Sequence, residues 1–159
     1  KDGAFGLSTG LFYVPGTFSS TQEVIELAKI AGKYGGMHES HQRDDASMLL
    51  DSVKETIAIG EFGHLPTQIS HQKVIGAANF GKSLEALKLI DEARARGVDV
   101  TSDQYPYTAS STSIQSALMP AWALEGNREA VLAKLKSPGQ RAEIRADTVK
   151  MIQIGRAHV

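Results

Sequence analysis

Apolar residues along this chain follow two alternating periodicities. Four short stretches have the composition of β-strands, at residues 4–11, 37–41, 67–71 and 98–103. The longer segments between them repeat apolar residues every three or four positions, which is typical of helices with one buried face. These helices are predicted after Ser20, after Asp44 or Asp45 and from Ser83, and two more close the chain at about 128–136 and 137–152.

The predicted helices carry recognisable start and stop signals. Ser20 and Glu23 form a capping box, and Gly35 ends the first helix. Asp44 or Asp45 is expected to cap the second helix and to have no further role. The second helix should bury Leu49, Val53 and Ile57, and the third should bury Leu84, Leu87 and Ile90 before it stops at Gly97.

Strands that alternate with helices predict right-handed crossovers and a parallel sheet, hence an α/β fold. A doubly wound sheet and a TIM barrel both satisfy this order, so periodicity leaves the two open. The segment from Gln104 to about Gly126 has no clear period, yet it contains Tyr105, Tyr107 and Trp122. A long loop with aromatic residues in a compact domain is more often functional than disordered.

Polar residues stand where three predicted strands end. His41, His71 and Asp103 recur about one βα unit apart, so a parallel sheet would bring them to the same rim. Imidazole is a common zinc ligand, and two histidines could supply two of the roughly three protein ligands of a catalytic zinc. The alternative is that both are hydrogen-bonded rim histidines. His38 would face the other side of its strand, where a packing or supporting role is expected.

A cation follows each of these histidines by two residues, Arg43 after His41 and Lys73 after His71. Either could bind a substrate carboxylate, and either could be a solvated charge at a helix start. After Asp103 come two tyrosines and a run of serine and threonine, and phenols can donate to a developing oxyanion. Asp103 lies within this tyrosine motif and is not assigned as a catalytic base.

Composition limits the classes of function. The chain has 159 residues, 42% hydrophobic and 22% charged, with a net charge of −1, which gives no electrostatic case for nucleic acid or an anionic membrane surface. It has no cysteine, so thiolate ligands cannot come from within it. No apolar run approaches the roughly 20 residues needed to span a bilayer, and no signal-peptide core is present, so a cytoplasmic protein is expected.

Four segments together resemble the N-acyl-D-amino-acid deacylases (D-aminoacylases) of the amidohydrolase superfamily. They are Gly3 to Tyr13, His38 to Arg43, Ile69 to Lys73 with Asn79 to Ser83, and Asp103 to Thr112. They occur in the family's order and cover most of the chain up to about residue 125. Each is weak alone, and the combination is specific.

The resemblance implies a partial TIM-like (β/α)8 barrel, with roughly strands four to seven in this chain. It implies that a zinc-activated water hydrolyses the carbon–nitrogen amide bond of a small N-acyl amino acid. His41 and His71 would be zinc ligands. The substrate-binding residues would be Tyr13, Lys73, Tyr105 and Ser111, with Arg43 in a supporting place.

The same resemblance indicates that residues 1–153 are a fragment of the catalytic barrel. The family's His-x-His pair, its cysteine ligand and its catalytic aspartate have no counterpart here, so the fragment alone is expected to be inactive. Residues 154–159 resemble a translated sequencing adapter, and His158 is therefore not considered a ligand. The oligomeric state cannot be predicted.

Two alternatives stay open. A cyclic amidohydrolase of the dihydroorotase or dihydropyrimidinase type would share the barrel fold and the metal-dependent hydrolysis. A non-catalytic βα-repeat binding domain would use the histidines structurally. The Tyr105-Pro106-Tyr107 and Ser8-Thr9-Gly10-Leu11 segments favour the deacylase.

Overall fold

The computed structural model describes residues 3–153, and the adapter-like tail at 154–159 lies outside them. Four parallel strands form one sheet in the order β1-β2-β3-β4. The strands and helices are β1 (Gly6–Gly10), α1 (Thr21–Lys33), β2 (Met37–His41), α2 (Leu49–Gly63), β3 (Thr67–Ile69), α3 (Lys82–Ala95), β4 (Val100–Ser102), α4 (Ile114–Leu118), α5 (Arg128–Lys136) and α6 (Pro138–Gln153). Short 3-10 turns lie at Gly16–Phe18, Ala77–Asn79 and Ala121–Leu124.

The strand order favours one of the two α/β architectures. Each strand pairs with the next strand in sequence, and the order never reverses. A doubly wound sheet reverses at a switch point, whereas a TIM barrel does not. One sheet face is covered: on β2, His38 and Ser40 are buried while Met37 and Glu39 are exposed. The described sheet thus has the strand order and the one-sided cover expected of part of a (β/α)8-type barrel.

Two groups of aliphatic side chains form the core. One joins α2 and α3 to β3 and β4, and consists of Leu49, Val53, Ile57, Ile69, Ala86, Ile90, Ala93 and Val100. The other joins α1 and α2 to the end of β1, and consists of Leu11, Val24, Ile25, Ala28, Ile59 and Leu65. At Gly63 an added Cβ would lie 2.7 Å from Cβ of Ala28, so glycine allows the two helices to approach. Among residues 3–153, no helix is both long and apolar enough to cross a membrane.

The predicted cap of α1, the predicted buried face of α2 and the predicted ends of α3 are confirmed, whereas the predicted buried face of α3 is wrong at two of its three residues. Ser20 Oγ accepts from the Glu23 amide at 3.1 Å, which is the predicted cap. On α3, Leu84 and Leu87 are 74% and 48% exposed, and only Ile90 of the predicted trio is buried. The buried residues of α3 are Ala86, Ile90 and Ala93. The small alanine side chains allow the helix to lie close to the sheet.

The cap predicted for α2 needs correction. The helix begins at Leu49, and its preceding residue makes no side-chain cap. Asp44 Oδ1 accepts from the amides of Ala46 and Met48 at 2.6 and 3.2 Å, so it caps the turn before the helix. Asp45 turns the other way, into the site described below. The capping prediction is thus confirmed in part for Asp44 and wrong for Asp45.

We expect the chain to self-associate when it is expressed alone. β1 and β4 each have one hydrogen-bonded neighbour among the described strands, and open sheet edges promote pairing between chains. Leu27 and Ile30 on α1 are 52% and 60% exposed. Light scattering over a concentration series should show association, and lysine at both positions should reduce it. A monodisperse monomer that melts cooperatively would contradict this expectation.

Candidate metal and substrate site

Two histidines meet where β2 and β3 end. His41 is the last residue of β2, and His71 lies two residues beyond β3. His41 Nδ1 and His71 Nε2 are 3.0 Å apart, and the ring centroids are separated by 4.5 Å. The proximity predicted from their spacing is therefore observed.

The backbone at His71 makes this meeting possible. Ile69 is buried on the covered face of the sheet, and alternation would send an extended residue 71 to that same face. His71 instead has φ of 42°, in the left-handed region that histidine seldom adopts. This turn brings its ring beside that of His41, on the other face.

The histidines line a cavity of about 360 Å³ at this rim. Its wall includes all four residues predicted to contact substrate directly, namely Tyr13, Lys73, Tyr105 and Ser111. Tyr13 Oη lies 3.2 Å from Oγ1 of Thr112, which links the loop after β1 to the loop after β4. The ring centroids of Tyr13 and His41 are 4.8 Å apart. Residues distant in sequence thus form one concave surface.

Asp45 is a residue of the candidate site that sequence reasoning missed. Its Oδ2 lies 2.5 Å from Nζ of Lys73, and its side chain is only 4% exposed. Gln42 Nε2 donates to Oδ1 of Asp45 at 3.3 Å. Burial raises the pKa of Asp45, and the neighbouring Lys73 ammonium acts in the opposite direction. The sequence indicated Asp45 only by its position four residues after His41. Helix capping accounted equally well for Asp44 and Asp45.

Lys73 is held from two sides. Besides its ion pair with Asp45, its Nζ lies 3.1 Å from Nδ1 of His71. The ammonium therefore has a fixed place in the cavity wall. A fixed, half-buried cation is suited to hold a carboxylate.

Arg43 lies outside the wall of this cavity. Its Nε and Nη2 donate to both carboxylate oxygens of Glu55, at 2.9 and 2.8 Å. Nη1 and Nη2 donate to the carbonyls of Thr17 and Ser19 at 2.8 and 3.0 Å. The guanidinium is used to fasten the loop that carries Tyr13, which fits a supporting role rather than contact with substrate.

Burial keeps two imidazoles of β2 neutral. His38 is fully buried, with Nε2 3.0 Å from Oγ1 of Thr9 and Nδ1 2.8 Å from Oγ1 of Thr67. This burial lowers the pKa of His38 to about 4. Burial, then the charge of Lys73 and the proximity of His71, lower the pKa of His41 to about 4 as well. Neutral imidazole is the form that binds metal.

No family model matches the chain. It is 43% identical over 113 residues to a D-aminoacylase of Alcaligenes xylosoxydans xylosoxydans, which is 71% of this chain and 23% of that protein. It is 44% identical over 110 residues to an N-acyl-D-glutamate deacylase of the same organism, which is 69% of this chain and 22% of the relative. The chain thus spans less than a quarter of the length of these relatives.

Solved structures agree with these sequence relatives. An N-acyl-D-glutamate deacylase from Bordetella bronchiseptica, complexed with zinc and a phosphonate inhibitor, matches with a TM-score of 0.64 at 41% identity, over 66% of this chain and 22% of that chain. A D-aminoacylase crystal structure matches with a TM-score of 0.63 at 44% identity, over the same shares. The chain belongs to the N-acyl-D-amino-acid deacylase family. The family and barrel predicted from four short motifs are confirmed.

The donor set of this deacylase-family chain fits part of a zinc site. Two ligand atoms around a tetrahedral zinc with bonds of about 2.0–2.1 Å would be separated by roughly 3.3 Å. The facing nitrogens of His41 and His71 are 3.0 Å apart. Within residues 3–153, no group of three or more His, Cys, Asp or Glu side chains could hold a metal. The chain therefore offers two imidazoles and no complete metal cage in its described part.

The buried His38 predicts a pH dependence of stability for this deacylase-family chain. Its pKa is about 4 in the fold against 6.5 when free, so between these values the unfolded state binds more protons. The free energy of unfolding should therefore fall as the pH is lowered from 6.5 to 4, with His38 contributing up to about 3 kcal/mol. Urea melts at several pH values would measure this. His38→Gln should flatten the slope, and His64→Gln, at an exposed histidine, should leave it unchanged; equal slopes in both variants would refute the assignment.

Proposed function

We propose that the protein containing this chain hydrolyses the amide bond of N-acyl-D-amino acids, with His41 and His71 as two ligands of a catalytic zinc. The observation that carries the proposal is the pair of facing imidazole nitrogens, 3.0 Å apart in a cavity walled by Lys73 and tyrosines. A bound zinc would supply an activated water and polarise the scissile carbonyl. Similarity to deacylases, one of them solved with zinc, supports this reading.

The substrate carboxylate would bind at Lys73. Its side chain is 17% exposed and lines the cavity, so most of its surface is removed from water. Asp45 fixes the place of this ammonium and offsets its charge. Charge-assisted hydrogen bonds to a carboxylate are stronger than neutral ones, which would orient the amino-acid end of the substrate.

The two phenols would act on the other end of the substrate. Tyr13 and Tyr105 line the same cavity as both histidines. A phenol can donate to an oxygen that gains negative charge in the transition state. Ser111 lies in the same wall and could donate likewise. With the carboxylate held at Lys73, this arrangement would place the acyl carbonyl near His41 and His71.

The remaining groups would come from other parts of the longer protein. A catalytic zinc site has about three protein ligands, and a general base must take the proton from water. Within residues 3–153 the two histidines have no third metal-binding partner close enough to complete a site. The isolated chain is therefore proposed to bind metal weakly and to be inactive.

The metal assignment predicts a loss of affinity in histidine variants. We expect His41→Ala and His71→Ala each to weaken cobalt binding by the chain at least about tenfold, because either change leaves a single imidazole. Cobalt binding is measured by its visible absorption, and zinc competes for the same site. His64→Ala, at an exposed histidine, is the matched control. Unchanged affinity in the His41 and His71 variants would remove the assignment.

The activity assignment is tested in a chimera. The matching segment of the Alcaligenes D-aminoacylase is replaced by this chain, and hydrolysis of an N-acetyl-D-amino acid is measured. We expect turnover, and we expect Lys73→Met to raise KM by roughly 10-fold to 100-fold through loss of a charged hydrogen bond. Lys54→Met, at an exposed lysine, should change neither constant. A folded, zinc-loaded chimera that hydrolyses only cyclic amides would favour a dihydropyrimidinase-like activity, and one without turnover would contradict hydrolysis.

A further inference from the structure

Asp103 holds the left-handed turn of His71 at three points. Its amide donates to the carbonyl of Ile69 at 3.2 Å, and its carbonyl accepts from the amide of Gln72 at 2.8 Å. These two bonds continue the β3–β4 ladder on either side of His71. The His71 amide between them donates to Oδ1 of Asp103. The carboxylate therefore accepts from a backbone N–H inside the turn.

The Asp103 carboxylate is itself oriented. Gln68 Nε2 donates to its Oδ2 at 2.9 Å. Thr101 Oγ1 donates to Oε1 of the same glutamine, which fixes the amide orientation. A short relay from β4 through β3 thus aims the carboxylate at the His71 amide. Asp103 does not belong to the wall of the cavity that the histidines line, which fits a supporting position.

We propose that Asp103 is a positioning residue that turns the His71 ring towards His41. An extended residue 71 would face the covered side of the sheet, away from His41. Left-handed backbone is strained for a non-glycine residue, so the turn needs a compensating contact. The bond from the His71 amide to Asp103 supplies such a contact in this turn. The metal consequence rests on the proposed function, whereas the backbone consequence does not.

The experiment compares three variants of the whole chain. Asp103→Ala removes the acceptor, and Asp103→Asn keeps a carbonyl oxygen that can still accept from the His71 amide. Asp99→Ala, at the other end of β4, is the matched control. Two quantities are measured: hydrogen exchange of the His71 amide in the metal-free chain, and cobalt affinity from visible absorption.

We expect Asp103→Ala to speed exchange of the His71 amide at least about tenfold and to weaken cobalt binding by roughly tenfold, the lower end of what loss of an outer-shell partner costs. Asp103→Asn should restore most of the slow exchange and most of the cobalt affinity. Asp99→Ala should change neither the exchange rate nor the affinity. Should Asp103→Ala fail to fold, Gln68→Leu, which frees the carboxylate, should give smaller changes in the same direction.

The outcomes separate the two proposals. Unchanged exchange and unchanged affinity in Asp103→Ala, with the fold intact, would overturn the positioning role. Faster exchange with unchanged cobalt affinity would also overturn it, because His71 would then reach the metal without the turn. A wild-type chain that binds no cobalt would refute metal binding by this chain, and the exchange measurement alone would then decide whether Asp103 holds the turn.

Discussion

The parallel pairing of β2 with β3 is the constraint on which the site depends. It brings two strand ends from consecutive βα units to one rim, which is where barrel folds assemble their sites. Pairing alone is insufficient, because side chains at 69 and 71 share a face in an extended strand. The left-handed backbone at His71 changes the face, and the ring then reaches His41. The β2–β3 register brings the two residues close together, and the left-handed backbone of His71 turns its ring towards His41.

Hydrogen bonds from neighbouring elements then fix the loops around this pair. Arg43 joins Glu55 of α2 to the carbonyls of Thr17 and Ser19, and Glu55 also accepts from Thr21 at the start of α1 at 2.7 Å. The loop that carries Tyr13 is thereby tied to two helices as well as to β2. Side chains on loops keep a useful geometry only when such supports hold them. Arg43 therefore contributes to the site by holding the backbone of the loop at Thr17 and Ser19 in place.

The sequence was most informative where one local rule determines the structure. The capping box at Ser20, the alternation along Met37–His41 and the strand-end spacing of the histidines all depend on short-range periodicity. The failures need tertiary knowledge. The helical spacing of Leu84 and Leu87 predicts burial, but in the structure Ala86 and Ala93 occupy the face of α3 that contacts the sheet. The position of Asp45 predicts a helix cap, and only the fold shows that it pairs with Lys73, a residue of the next βα unit.

The charges of the site are balanced before any ligand arrives. Burial keeps the imidazole of His41 neutral, and Asp45 stands 2.5 Å from the ammonium of Lys73. A dication that approached the two histidines would therefore meet no uncompensated positive charge from Lys73. Without Asp45, that ammonium would lie next to His71 alone and would repel a metal over a short, poorly screened distance. In the proposed site, the carboxylate that would fix a cation for the substrate would thus also make the neighbouring pair of imidazoles suitable for a metal.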